Sequence, residues 1–245
     1  MVILEKILWL EACPSNKDPR RMAAYFVDYF KTIRGVPRMI RTDAGTENVV
    51  IHALQIALRM NHTDDMSGFR SVSIGRSTSN QRIEMMWSFM RRNLSQFWRN
   101  FFLQLVADNL LSNTDELQLE SMRFCFLPLI QNHLNVFKDT WNNHRMQANR
   151  RNGVLTGIPN NLYNMPLLYG TVDYKYPLSC SIEDLDEIQE DETDQMPFLG
   201  CTNEFRGLMQ QIAGINGHDL GVISTPNEAR ELYELLIGLI NLYDN

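Results

Sequence analysis

The sequence predicts an α/β layer fold with a mostly open sheet. Three observations carry that expectation. Short apolar runs at residues 3–12, 39–42 and 71–75 alternate with longer amphipathic stretches. The longer stretches repeat their apolar residues at three- and four-residue spacing, the period of a helix with one buried face. Helix start and stop signals fall between the two kinds of run.

Residues 3–12 read as a first strand, although Glu5 and Glu11 break its alternation. A polar loop leads to Asp18, which caps a helix opened by Pro19, where a missing N–H costs nothing. Met22, Phe26, Tyr29, Phe30 and Ile33 mark the apolar face, and Gly35 and Pro37 end it. Residues 39–42 form a short strand running into Asp43. Thr46 or Asn48 starts a second helix through Leu58, residues 61–69 are polar loop, and residues 71–75 are a third strand. Ser77 or Ser79 opens a long helix. Its core stripe is Ile83, Met86, Trp87, Met90, Leu94, Phe97, Trp98 and Phe101. Asn80, Glu84, Ser88, Arg91 and Ser95 share a different, polar face. A further helix spans residues 116–145 and is bent at Pro128. Residues 152–180 read as a long ordered loop and residues 183–194, with eight acids and no base, as a solvated linker. Thr225-Pro226 starts a last helix to about Tyr243, with Ala229, Leu232, Leu235, Leu236 and Leu239 on one face.

The net charge of −6 is unevenly spread. Residues 1–151 hold 20 Lys/Arg and 14 Asp/Glu, whereas residues 152–245 hold 3 Lys/Arg and 15 Asp/Glu. A basic front and an acidic back imply different surfaces and partners. The four cysteines are far apart and give no zinc spacing with the five histidines, so they read as free thiols in a reducing compartment. The apolar start is too short to span a membrane and lacks a cleavage pattern, so no membrane or targeting segment is expected. The expected location is intracellular, and nuclear if the chain acts on DNA.

One constellation points to chemistry. Asp43 stands at the end of a short strand, just before a glycine turn. Glu84 stands about one turn into a patterned helix, with 40 residues between the two. Carboxylates from a strand end and a nearby helix suit a shared hard divalent cation such as Mg²⁺ or Mn²⁺. Read singly, Asp43 is a turn acid and Glu84 a surface helix carboxylate.

The paired motifs Arg41-Thr-Asp-Ala-Gly-Thr-Glu-Asn48 and Gly75-Arg-Ser-Thr-Ser-Asn-Gln-Arg-Ile-Glu84 resemble the integrase core domain of retroviruses and related transposons. Ile7-Leu-Trp-Leu10, Trp87, Trp141-Asn-Asn-His-Arg145 and Leu168-Tyr-Gly170 extend the resemblance, most closely to animal integrase core domain proteins derived from such elements. The resemblance implies a ribonuclease-H-like fold, a five-stranded mixed sheet flanked by helices. It also implies three acids holding two divalent metals that act on a phosphodiester. Carried over, Asp43 and Glu84 are the second and third acids, catalytic and metal-binding. Asn80 and Gln81 open the helix where the family meets DNA, and Arg76, Arg82, Arg91 and Arg92 become phosphate contacts. The first acid of the family's trio has no counterpart, so the expected core is truncated at its N-terminus.

The resulting division is a truncated integrase-like catalytic core at 1–113, a helical extension at 114–151 and an acidic, loop-rich region ending in a helix at 152–245. Expected partners are DNA, a second copy of the chain, or a chain supplying the missing strand. Two functions stay open: a Mg²⁺-dependent polynucleotidyl transferase, or a domesticated, non-catalytic module that binds DNA or protein.

Overall fold

The computed structural model describes residues 6–75, 81–146, 156–193, 200–217 and 223–243. It is a mixed α/β structure whose described residues fall into two compact units, each drawn from three segments of the chain.

The first unit takes residues up to 9, then 15–84 and 138–195. Its central helix, α1 (Pro19–Ile33), starts as its sequence requires: the Asp18 carboxylate accepts from the Arg20 N–H at 3.0 Å, with proline at the first position. Arg34 ends the helix in the left-handed region at φ 47°. Gly35 serves a close approach. A Cβ there would stand 2.5 Å from the Lys175 side chain and 2.8 Å from the Tyr176 carbonyl oxygen. Its absence lets β1 (Val36–Pro37) pair antiparallel with β4 (Lys175–Tyr176). Next come β2 (Ile40–Thr42), a 3₁₀ turn at Thr46–Asn48, α2 (Val49–Arg59) and β3 (Val72–Ile74). β2 and β3 are parallel, with Arg41 opposite Ser73.

The core of this unit joins α1 to α2 through Phe26, Val27, Phe30, Ile51 and Leu58, with Val36 and Leu185 also buried. Each large apolar side chain buried this way contributes about 1.5–3 kcal/mol. At the outer end of α2, Arg59 is fully buried. It pairs with Asp64 at 2.5 Å and stacks over the Tyr176 ring at 3.9 Å. Desolvation pushes the Asp64 carboxyl up, but the Arg59 hydrogen bond and charge, with the Met66 amide, outweigh it and hold it below its ordinary value.

The second unit takes residues 10–14, 85–137 and 196–245. Its core is helical, with Trp98, Leu105, Phe126, Met209, Leu232 and Leu236 among the buried residues. The elements are α3 (Gln81–Met90) from residue 85 on, a π-helical turn at Arg91–Ser95, α4 (Gln96–Ala107), α5 (Glu116–Asn143) up to residue 137, α8 (Asn203–Ile215) and α9 (Pro226–Tyr243). Asp115 caps α5 through the Leu117 and Gln118 amides. Thr225 and Glu228 form a reciprocal cap at the start of α9: the Glu228 N–H donates to Thr225 Oγ1, and the Glu228 carboxylate accepts from Ser224 and Thr225. These amides hold the Glu228 carboxyl below its ordinary value, against the effect of desolvation.

Several expectations are corrected. Among the described residues, the sheet is two two-stranded pieces, one antiparallel and one parallel, rather than five strands. Residues 6–12 form no strand. Their extended backbone is held by side-chain amides instead. The Ile7 N–H donates to Asn142 Oδ1 and the Ile7 carbonyl accepts from Asn142 Nδ2, both at 2.8 Å. The Ala12 N–H and Leu10 carbonyl bond Gln131 in the same two-way fashion, at 2.7 and 3.1 Å. An amide side chain offers a donor and an acceptor at strand-like spacing, so it substitutes for a neighbouring strand.

The acidic run is a helix, α7 (Ile182–Thr193), rather than a linker. Ser181 and Asp184 cap it reciprocally, Leu185 is fully buried with Ile188 beside it in the α1 core, and Asp186 pairs with Lys31 at 2.5 Å. The expected loop at 152–180 includes a short helix, α6 (Pro159–Asn164), and β4.

The core stripe of the long helix also divides. Trp98 is buried, but Ile83, Trp87 and Phe97 are exposed. The π turn widens the spiral between α3 and α4 and shifts the phase of everything after it. Trp98, Phe101, Phe102 and Leu105 therefore face the core together.

Candidate functional site

Asp43 follows β2 directly and is exposed. Its surroundings come from the turn after it. Asn48, at the end of the 3₁₀ turn, donates through Nδ2 to Asp43 Oδ1 at 3.1 Å and to Glu47 Oε1 at 3.3 Å. One amide thus draws two carboxylates toward each other. Thr42 fixes the backbone on the other side: its hydroxyl donates to the Asp43 carbonyl at 2.9 Å and meets His52 Nε2 at 2.7 Å. The hydroxyl has one proton, given to the carbonyl, so His52 Nε2 carries the proton of the second bond.

Arg41 lies against the next strand end. A Cβ on Gly75 would stand 2.8 Å from both Nε and Nη2 of Arg41. Gly75 donates its N–H to the Thr42 carbonyl at 2.9 Å, extending the β2–β3 ladder by one bond. The second and third strand signals therefore meet beside Asp43.

Glu84 lies in the first turn of α3 and is exposed. Its neighbour Ile83 lines the same cleft as Arg41, Thr42 and Asn48. Arg91 and Arg92 belong to the second unit, in the π turn, and are exposed, as is Arg99 in α4. Arg76 and Asn80 lie outside the described residues. Gln81 and Arg82 open α3.

Other neighbours of the site are not marked by the sequence. His52 stands as a lone polar residue near the start of an otherwise apolar helix, whereas Asn48 belongs to the motif at 41–48 and is expected there as a helix start. The aromatic side chains Tyr29, Tyr163 and Tyr174 come together around the cleft from α1 and from the tyrosine-rich stretch expected to be loop. Tyr29 and Tyr163 share a hydrogen bond between hydroxyls, and burial together with that bond raises the Tyr29 phenol well above its ordinary value.

Among the described residues, no group of three or more His, Cys, Asp or Glu side chains is placed to hold a divalent metal. The carboxylate of Asp43 is engaged by an amide and that of Glu84 stands in solvent. The described residues by themselves therefore do not assemble a three-ligand metal centre. His144 contacts the Trp141 carbonyl through Nδ1, an interaction at a helix end rather than a ligand set. No described helix is long and apolar enough to cross a membrane.

Compared with known families, residues 4–169 match the one described as integrase core domain, which is more than half of the 245-residue chain. No curated protein and no solved structure matches the chain significantly.

Proposed function

Because the chain belongs to the integrase core domain family, we propose that it is an integrase- or transposase-type core, derived from a mobile element, whose own activity is to bind DNA. In this reading the β2–β3 layer and α1 to α3 belong to a ribonuclease-H-like core. Asp43 and Glu84 are the second and third acids of its site, which Mg²⁺ or Mn²⁺ would occupy. Among the described residues no third His, Cys, Asp or Glu joins Asp43 and Glu84, so binding rather than strand cleavage is the activity assigned.

One observation carries the DNA reading beyond family membership. Residues 85–107 contain three arginines, Arg91, Arg92 and Arg99, and no acid, and all three are exposed. In a chain of net charge −6, an acid-free basic run is a local exception. Guanidinium groups held on a helix suit phosphate oxygens, which they meet in pairs. Such contacts fix a duplex in place without reading its sequence. Arg76, Arg82, Asn80 and Gln81 are assigned to the same role by the resemblance.

The experiment is binding of labelled duplex DNA by the full chain, followed across salt concentration. Each phosphate contact contributes about 0.9 to the slope of log affinity against log salt. The triple change R91Q, R92Q and R99Q is expected to lower that slope by roughly 2.7. An unchanged slope removes these arginines from the interface.

A further inference from the structure

Within the first unit, β2 borders a cleft of about 890 Å³, a volume typical of ligand sites, which run from about 300 to 1,000 Å³. Residues 39–42 line it, together with Leu8 and Trp9, part of α1, and residues 172–175. Leu8, Met39, Ile83, Val172 and Tyr174 are apolar or aromatic, line this cleft and are nonetheless exposed.

The cleft contains an unused strand edge. Among the described residues β2 pairs with β3 and with no other strand. The Thr42 carbonyl accepts from Gly75 on the β3 side. Backbone groups of successive strand residues point to opposite edges, so the N–H and carbonyl of Arg41 point away from β3. Arg41 itself lines the cleft. An open edge of this kind is a template for another extended chain.

Charge narrows the occupant. The cleft offers two exposed cations, Arg41 and Lys175, and one carboxylate, Asp173, which already accepts from the Lys175 backbone N–H at 2.8 Å. We infer that this cleft takes an extended peptide segment of a partner protein, added as a strand along the free edge of β2, with apolar side chains set into the cleft and a carboxylate against Arg41 and Lys175. A peptide is favoured over a nucleic acid because the edge presents a donor and an acceptor together. A phosphate backbone supplies acceptors alone, whereas a peptide matches both. The inference is independent of DNA binding, since it uses neither Arg91, Arg92 nor Arg99.

The test selects peptides from a random displayed library against the full chain and measures the enriched ones by titration calorimetry. The expected peptides alternate apolar residues and carry an Asp or Glu. N-methylating one alternate set of their backbone amides abolishes binding, while methylating the other set does not, because only one edge of the added strand faces β2. In the protein, R41P removes the free-edge N–H and spares the bonds to β3, at an edge position where proline is tolerated. R41Q removes the charge alone. R41P is expected to bind about tenfold more weakly than R41Q, and if R41P fails to fold, the methylated peptides decide. No enriched peptide, equal binding by R41P and R41Q, or indifference to N-methylation overturns the inference. So does displacement of the peptide by oligo(dT), which would make the cleft a nucleic-acid groove.

Discussion

Replacing Asn142 with alanine removes both hydrogen bonds that hold the backbone of Ile7. The two residues are nearly inaccessible, Asn142 at 5% exposure and Ile7 at 8%, so water does not readily replace the lost amide. Each buried backbone group left without a partner costs about 1–3 kcal/mol, and the pair together about 2–6 kcal/mol. That cost falls on the segment presenting Leu8 and Trp9 to the cleft. Expressed as local opening, it speeds exchange of the Ile7 amide hydrogen by roughly 30-fold to 20,000-fold. Amide exchange followed by NMR, with the α1 amides as internal reference, reads the effect directly. If Ile7 exchanges in N142A as slowly as in the unchanged chain, the segment is held by something other than the Asn142 amide, and the reasoning fails.

Three further outcomes follow from the packing and the charges. L185A removes a fully buried side chain from the α1 core and is expected to destabilise the first unit by about 2–5 kcal/mol in urea unfolding; a loss under ~0.5 kcal/mol would mean that α7 does not contribute to that core. Asp64 titrates below its unfolded value, so its contribution is present at neutral pH and is lost as pH falls through the folded value. Acid unfolding followed by circular dichroism should show that loss in the unchanged chain but not in D64N; identical acid profiles would exclude the linkage. Burial raises the Cys125 thiol well above its ordinary value, and its side chain is enclosed in the second core. Alkylation by iodoacetamide at pH 8, read by mass spectrometry, should therefore reach Cys13 before Cys125; rapid native labelling of Cys125 would contradict that burial.

Elements fixed by neighbouring residues were legible in the sequence. Asp18-Pro19 starts α1 and Thr225-Pro226 starts α9 because capping depends on residues a few positions apart. The segment at 6–12 was misread because its hydrogen-bond partners, Asn142 and Gln131, lie 119 to 135 residues away. Its composition suits an extended chain and says nothing of what pairs with it. The helix at 182–193 was missed because eight acids at 183–194 outweigh Leu185 and Ile188 in any average, although those two decide its burial. At the site, Asp43 and Glu84 stood out through their motifs. The contacts that hold Asp43, from Asn48 and from Thr42 with His52, depend on the geometry of one 3₁₀ turn, which spacing does not encode. The exposure of Phe97 beside buried Trp98 follows from a π turn that no propensity marks.

The most direct measurement is a side-by-side assay of binding and nicking of labelled duplex DNA by the full chain, with Mg²⁺, Mn²⁺ or EDTA, comparing D43N and E84Q with the unchanged protein. The account predicts salt-sensitive binding that is the same in all three proteins and in EDTA, without strand cleavage. Metal-dependent nicking that disappears in D43N and E84Q would contradict it, as would the absence of DNA binding at low salt.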